Sequence, residues 1–133
     1  MKQTFSKAER LNSKKIINKL FEKGSDKTDS VFLYPFRVVY LTQQNLETRL
    51  TSIIISVSKR SFKKAVDRNL LKRRIREAYR LNKNLIYKIE SSIFPSNIAF
   101  VYVGKEILPF VTIESKMISV LEKISKNCFE KTE

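Results

Sequence analysis

Apolar positions along this 133-residue chain change their repeat from one segment to the next. Between residues 65 and 81, Leu71, Ile75, Ala78 and Tyr79 recur at helical spacing, which predicts a helix with one apolar stripe. Between 50 and 58 the repeat is two. Thr51, Ile53, Ile55 and Val57 share one side of a strand, and Ser52, Ile54, Ser56 and Ser58 the other. The first side belongs to a core; the second, small and polar, is either a sheet face left open to a ligand or plain solvent-exposed surface. Ile16, Ile17, Leu20 and Phe21 mark an earlier helix, capped by Asn12 or Ser13 and stopped by Gly24. Residues 25–30 read as a polar loop, 31–34 as a short strand ending at Pro35, 36–41 as a strand and 43–48 as a hairpin loop. Residues 84–92 extend the basic helix or form a second, short one. Residues 98–103 are a strongly apolar strand, and 113–129 a closing amphipathic helix through Met117, Val120, Leu121 and Ile124. The order α-β-β-β-α-β-α predicts an α+β two-layer sandwich with helices packed on a mixed four-stranded sheet.

Length fits one domain, spanning 1–133, and Gly and Pro are too few for flexible linkers. Residues 126–133 are expected to form a loose tail. No apolar run reaches the length of a membrane span, and residues 1–10 lack the apolar stretch of a signal peptide. The single Cys128 cannot form an internal disulfide, which points to a reducing, cytoplasmic setting.

Charge alters the picture most. Residues 59–80 hold ten Lys or Arg and two acids, so 22 residues carry more than half of the chain's net charge of +14. Such a density repels itself unless a polyanion neutralises it, and nucleic acid becomes the leading partner. Arg68, Asn69, Lys72, Arg73, Arg76 and Arg80 fall opposite the apolar stripe, with 68, 72, 76 and 80 forming a row of helical neighbours. A basic amphipathic helix can also lie on an anionic membrane, but then its apolar residues would sit in lipid, whereas here the core needs them.

Catalysis by the polypeptide is not expected. Without His there is no Ser-His-Asp or Cys-His nucleophile site, no zinc site can draw on imidazole, and the thirteen acids are too scattered for a carboxylate-held metal nuclease. No catalytic and no metal-ligating residue is therefore assigned.

Ser56-Val57-Ser58-Lys59-Arg60, followed by Ala65-Val66-Asp67-Arg68-Asn69-Leu70-Leu71-Lys72-Arg73-Arg74-Ile75-Arg76-Glu77-Ala78-Tyr79-Arg80, resembles the signature of the bacterial ribonuclease P protein component. That signature is an S-V-S/A-K-K strand end, a short basic loop and A-V-x-R-N-R-I-K-R-x-x-R-E-x-x-R on a helix. The likeness spans about residues 5–125. It implies a ribosomal protein S5 domain 2-like fold with a left-handed β-α-β crossover. It also implies a subunit that binds ribonuclease P RNA and precursor tRNA, with no membrane, dinucleotide or haem. The RNA would remove the 5′ leader by hydrolysis that needs Mg²⁺, the metal being held mainly by the RNA.

The resemblance places Arg68, Asn69, Lys72, Arg73 and Arg76 on the helix that touches the catalytic RNA, and Arg80 extends that row. It places the leader in a cleft between sheet and helix, lined by Ile17, Phe21, Phe36, Val38, Tyr40, Ser56, Ser58, Lys59 and Arg60. Two positions depart from the pattern. Leu70 stands where the family has the second Arg of Arg-Asn-Arg, and Arg74, one turn on, is the candidate to replace it. Ile17 stands where the family has an aromatic that can stack on a base. Phe32, Phe100 and Phe129 are expected to pack in the core. Two rival classes remain: an RNA-binding protein of similar fold with no enzymatic partner, and a protein nuclease.

Overall fold

The computed structural model describes residues 28–44, 51–88 and 93–131. The segment 13–24, read as a first helix, lies outside them, as do Ile17 and Phe21. The described elements are β1 (Thr28–Leu33), β2 (Phe36–Gln44), β3 (Ser52–Val57), α1 (Ala65–Asn82), α2 (Asn84–Tyr87), β4 (Ile93–Tyr102) and α3 (Phe110–Lys131).

The four strands form one mixed sheet in the order β1-β2-β4-β3. The β1–β2 and β2–β4 pairs are antiparallel and the β3–β4 pair is parallel. Segment 43–48 therefore does not turn the chain from one strand into its neighbour. β4 lies between β2 and β3 and takes the backbone hydrogen bonds of both. A parallel pair needs a crossover connection, which the chain from α1 through α2 supplies. Real strands outrun their sequence outlines: β1 begins at Thr28, inside the expected loop, and β4 at Ile93. A register shift between Leu41 and Thr42 accommodates Pro95, whose ring nitrogen has no proton to give the ladder.

The core lies between one sheet face and the helices. Val31, Phe36, Val38, Tyr40, Ile53, Val57, Ile98, Phe100 and Tyr102 meet Leu71, Ile75, Ala78 and Tyr79 from α1 and Ile113, Met117, Val120, Leu121, Ile124 and Cys128 from α3. Aromatic rings hold its centre. Phe36 meets Phe100 edge-on at 6.3 Å between centroids, and Tyr79 meets Phe100 at 5.8 Å. Residues 102–104 pass so close to the β1–β2 turn that a side-chain carbon at Gly104 would stand 3.0 Å from the Pro35 ring and 3.1 Å from the Tyr102 ring, tighter than ordinary contact. At the other end Tyr87 accepts a hydrogen bond from the Thr51 amide at 3.1 Å, tying α2 to the start of β3.

Three sequence expectations change here. Phe36, Val38 and Tyr40 do not floor a cleft: all three are fully buried on the helix-facing side. Burial pushes the Tyr40 phenol up to about 12, and Asn127 of α3 donates a hydrogen bond to its oxygen at 3.1 Å. Phe32 and Phe129, expected inside, are exposed, while Phe100 is buried as expected. α3 runs to Lys131 with Cys128 buried, so the expected loose tail is helical through its first six residues, 126–131.

Phe36→Ala is expected to destabilise the fold by about 3–5 kcal/mol, the usual cost of emptying a buried phenyl site. Urea denaturation checks it. A loss under about 1 kcal/mol would mean the ring is not a core residue.

Candidate nucleic-acid interface

Cations reach the surface here because apolar residues beneath them fix the helix. Leu71, Ile75, Ala78 and Tyr79 turn one side of α1 into the core. The opposite side then carries Asn69, Arg73 and Arg76 outward, all exposed, with half-buried Lys72 beside them. Among the described residues none of these four has a hydrogen-bond or ion-pair partner, so their donors face solvent.

The ends of the expected row behave differently. A 3.6-residue repeat carries positions 68, 72, 76 and 80 obliquely round the helix rather than along it. At one end Arg68 turns back toward the preceding loop. Its Nη1 donates to the carbonyl oxygens of Phe62 at 2.8 Å and Lys63 at 2.9 Å. At the other end Arg80 is bound by Glu77, its Nε donating to the two carboxylate oxygens at 3.2 and 3.1 Å, in an i,i+3 pair. The hydrogen bond from Arg80 holds the Glu77 carboxyl below its ordinary range. Arg74, the candidate replacement for the cation absent at Leu70, instead donates to the Leu108 carbonyl at 2.6 Å and braces the start of α3.

Between β3 and α1 the chain is fixed from inside. Phe62 is buried and packs on Tyr102 at 6.0 Å. Its amide donates to the Ser58 carbonyl at 3.0 Å, and the Arg60 amide donates to Ser58 Oγ at 3.1 Å. Arg68 closes the same loop from the helix side. Ser58, Lys59, Arg60, Lys63 and Lys64 are thereby held exposed on a fixed backbone. Ser58 is engaged in shaping the turn as well as standing at its edge.

The second sheet face, away from α1 and α3, is built in cross-strand rows. One row is Ser30, Val39, Ala99 and Ile54; the next is Phe32, Arg37, Val101 and Ser56. In the first row Val39 and Ala99 are buried, forming with Leu41 and the partly buried Ile54 a second, smaller apolar cluster. In the second row Phe32, Arg37 and Ser56 are exposed. Ser56 thus stands on this face as its alternation implies, but its neighbours are Arg37, Val39, Val101 and Ala99. Sequence reasoning missed them because it took Phe36, Val38 and Tyr40 for the cleft side of β2, and because the place of β4 between β2 and β3 is not written in local pattern.

The structure therefore brings together Asn69, Lys72, Arg73 and Arg76 on one helix face, with Ser56, Ser58, Lys59 and Arg60 on the strand and loop leading into it. It removes Phe36, Val38 and Tyr40 from the site and gives Arg68 and Arg80 partners within the fold. Phosphate recognition needs guanidinium and ammonium donors that are not already spent, and the free cations of α1 and the loop supply them on a rigid frame.

A mixed α+β sandwich with a cationic helix face defines a small basic protein whose surface suits a polyanion. Comparison with known proteins makes the assignment specific. The family model described as Ribonuclease P matches residues 5–125. The chain is 40% identical over 124 residues to the ribonuclease P protein component of Porphyromonas gingivalis, covering 92% of this chain and 87% of that one. It is 36% identical over 104 residues to that of Petrotoga mobilis, covering 78% and 75%. The solved ribonuclease P protein of Staphylococcus aureus superposes with a TM-score of 0.67 at 26% identity, covering 92% of this chain and 99% of that one. The chain belongs to the ribonuclease P protein family, the protein subunits of a ribonucleoprotein endoribonuclease.

If Arg68 is a clamp and Arg73 a free cation, their stability effects must differ. Arg68→Ala is expected to cost about 1–2 kcal/mol by loss of two charge-assisted hydrogen bonds. Arg73→Ala should stay within about 0.5 kcal/mol. Chemical denaturation of both variants checks this, and equal effects would contradict the division.

Proposed function

We propose that this protein binds ribonuclease P RNA through α1 and the loop before it, and the 5′ leader of precursor tRNA along the second sheet face next to Ser56. The complex so formed would remove the leader by RNA-catalysed hydrolysis that needs Mg²⁺. The observation that carries this reading is the set of unpartnered cations, Lys72, Arg73 and Arg76, on a helix whose other side is locked in the core. Asn69, exposed beside them, adds a neutral donor and acceptor at the turn where the family signature has Arg-Asn-Arg. Leu70 leaves one cation fewer than that signature, and Arg74, tied to Leu108, does not face outward to replace it.

Ser56, Ser58, Lys59 and Arg60 lie where the sheet face meets the basic loop, so a single strand leaving the helix face would cross them first. The metal is assigned to the RNA, as the family resemblance implies, and the chain has no His to offer it. The protein's contribution is then electrostatic: fixed cations stand where the RNA alone would need many diffusible ones.

Precursor-tRNA cleavage by a bacterial ribonuclease P RNA, run at low Mg²⁺ with and without this protein, tests the reading. The protein alone is expected to cleave nothing, and RNA with protein to cleave faster than RNA alone. Equal rates with and without protein would overturn it.

Binding to the RNA should also weaken steeply with salt. If Lys59, Arg60, Lys63, Lys72, Arg73 and Arg76 neutralise about six phosphates, the log–log slope is of order −4 to −5. Arg73→Ala or Arg76→Ala should each flatten that slope by about one unit. Salt-independent affinity would show these cations to be a solvated surface.

A further inference from the structure

The row that contains Ser56 does not stop at the middle of the sheet. It continues through Val101 of β4 and Arg37 of β2 to Phe32 of the edge strand β1. At a strand spacing of about 4.8 Å the row is about 14 Å long. Its composition differs from that of the rows beside it: an aromatic ring, a guanidinium, a half-buried valine and a serine hydroxyl. Phe32 is 64% exposed although Val31, beside it in sequence, is in the core. Arg37 is exposed and has no hydrogen-bond or ion-pair partner among the described residues. An exposed aromatic directly opposite a cation supplies the two contacts with which proteins commonly hold single-stranded nucleic acid, a ring to stack on a base and a charge to meet a phosphate.

The row is also continuous with the proposed interface. Its Ser56 end leads into Ser58, Lys59 and Arg60, and α1 packs against β3 at that side of the sheet. The Phe32 end is on the opposite edge, three strands away from α1. A strand laid along the row from the basic loop therefore moves away from the surface assigned to the catalytic RNA as it approaches Phe32.

We infer that Phe32 and Arg37 form a distal subsite for the precursor's single-stranded leader, taking nucleotides farther from the cleavage site than those that cross Ser56. This rests on the reading of the second sheet face as the leader's path. The subsite is sequence-tolerant, because any base has a face on which Phe32 can stack.

The test is a leader-length series. Holoenzyme is reconstituted from ribonuclease P RNA and wild-type, Phe32→Ala, Phe32→Tyr or Arg37→Ala protein. Its affinity is measured for precursor tRNAs whose leaders grow one nucleotide at a time, and for mature tRNA. Wild-type affinity should rise with leader length to a plateau. Phe32→Ala and Arg37→Ala should follow wild type on the shortest leaders and then level off early. At the plateau Phe32→Ala should be weaker by roughly fivefold or more, given the usual strength of base–aromatic stacking. Phe32→Tyr should restore the plateau.

Three results would overturn the subsite. Phe32→Ala could track wild type at every length. It could lose affinity equally for all leaders and mature tRNA. It could change the sedimentation of the free protein, which would make Phe32 a contact between proteins. Melting temperatures of the variants guard against misfolding as the cause of any loss. If wild-type holoenzyme itself shows no leader dependence, the underlying leader path fails and the subsite with it. A leader-dependent wild type with an unaffected Phe32→Ala fails the subsite alone.

Discussion

The packing of Phe36, Phe100, Tyr102 and Tyr79 between the sheet and α1 is the constraint on which the surface depends. A strand residue can serve only one face, and a slip of one residue would send every side chain to the other. By committing Phe36, Val38 and Tyr40 to the helices, the core commits Arg37 and Val39 to the second face. Rings that never reach solvent therefore decide which groups an RNA could meet. The same packing sets the roll of α1 about its own axis, because Leu71, Ile75, Ala78 and Tyr79 are all committed to the core, with the Tyr79 ring 5.8 Å from that of Phe100.

Like charges crowded on 22 residues repel, and the fold distributes that cost in two ways. Some cations are spent internally, with Arg68 on loop carbonyls, Arg74 on Leu108 and Arg80 on Glu77. Others, including Lys72, Arg73 and Arg76, are left without partners among the described residues. The spent cations order the backbone that carries the free ones. Arg68 illustrates this: its two hydrogen bonds hold the loop that presents Lys59 and Arg60. The basic segment is thus part scaffold and part contact surface, which a count of charges does not distinguish.

Legibility in the sequence followed the contrast between polar and apolar positions. α1 was readable almost to the residue, because a dense polar face sets off Leu71, Ile75, Ala78 and Tyr79. β3 was readable down to its faces, because serine alternates with isoleucine and valine there. β2 was less so: Phe36, Val38 and Tyr40 on one side face Val39 and Leu41 on the other, and Arg37 is the one polar contrast between them, so cleft and core were exchanged. Phe32 read as core because a phenyl ring in a strand is usually buried, and only the pairing of β1 with β2 shows which way it points. Nor does a cation's letter tell whether it faces water or a neighbouring carbonyl, so the roles of Arg68 and Arg74 needed coordinates. The β2–β4–β3 order depends on pairing between distant segments, which local pattern does not encode.

The central position of β4 has a consequence for how the molecule comes into being. During synthesis the β1–β2 hairpin and the β3–α1 segment both emerge before residues 93–102 exist. Until β4 arrives, β2 and β3 have no common neighbour, and α1 has no Phe100 to rest on. The sheet must therefore be completed by insertion of a late strand between two earlier ones, a non-local pairing of the kind that slows folding. During that interval the chain is a strongly cationic, incompletely packed polymer in a cell rich in RNA. Assembly of the fold and exposure to polyanions overlap in time, and the strand that completes the core is also the one that turns a nonspecific basic segment into a shaped surface.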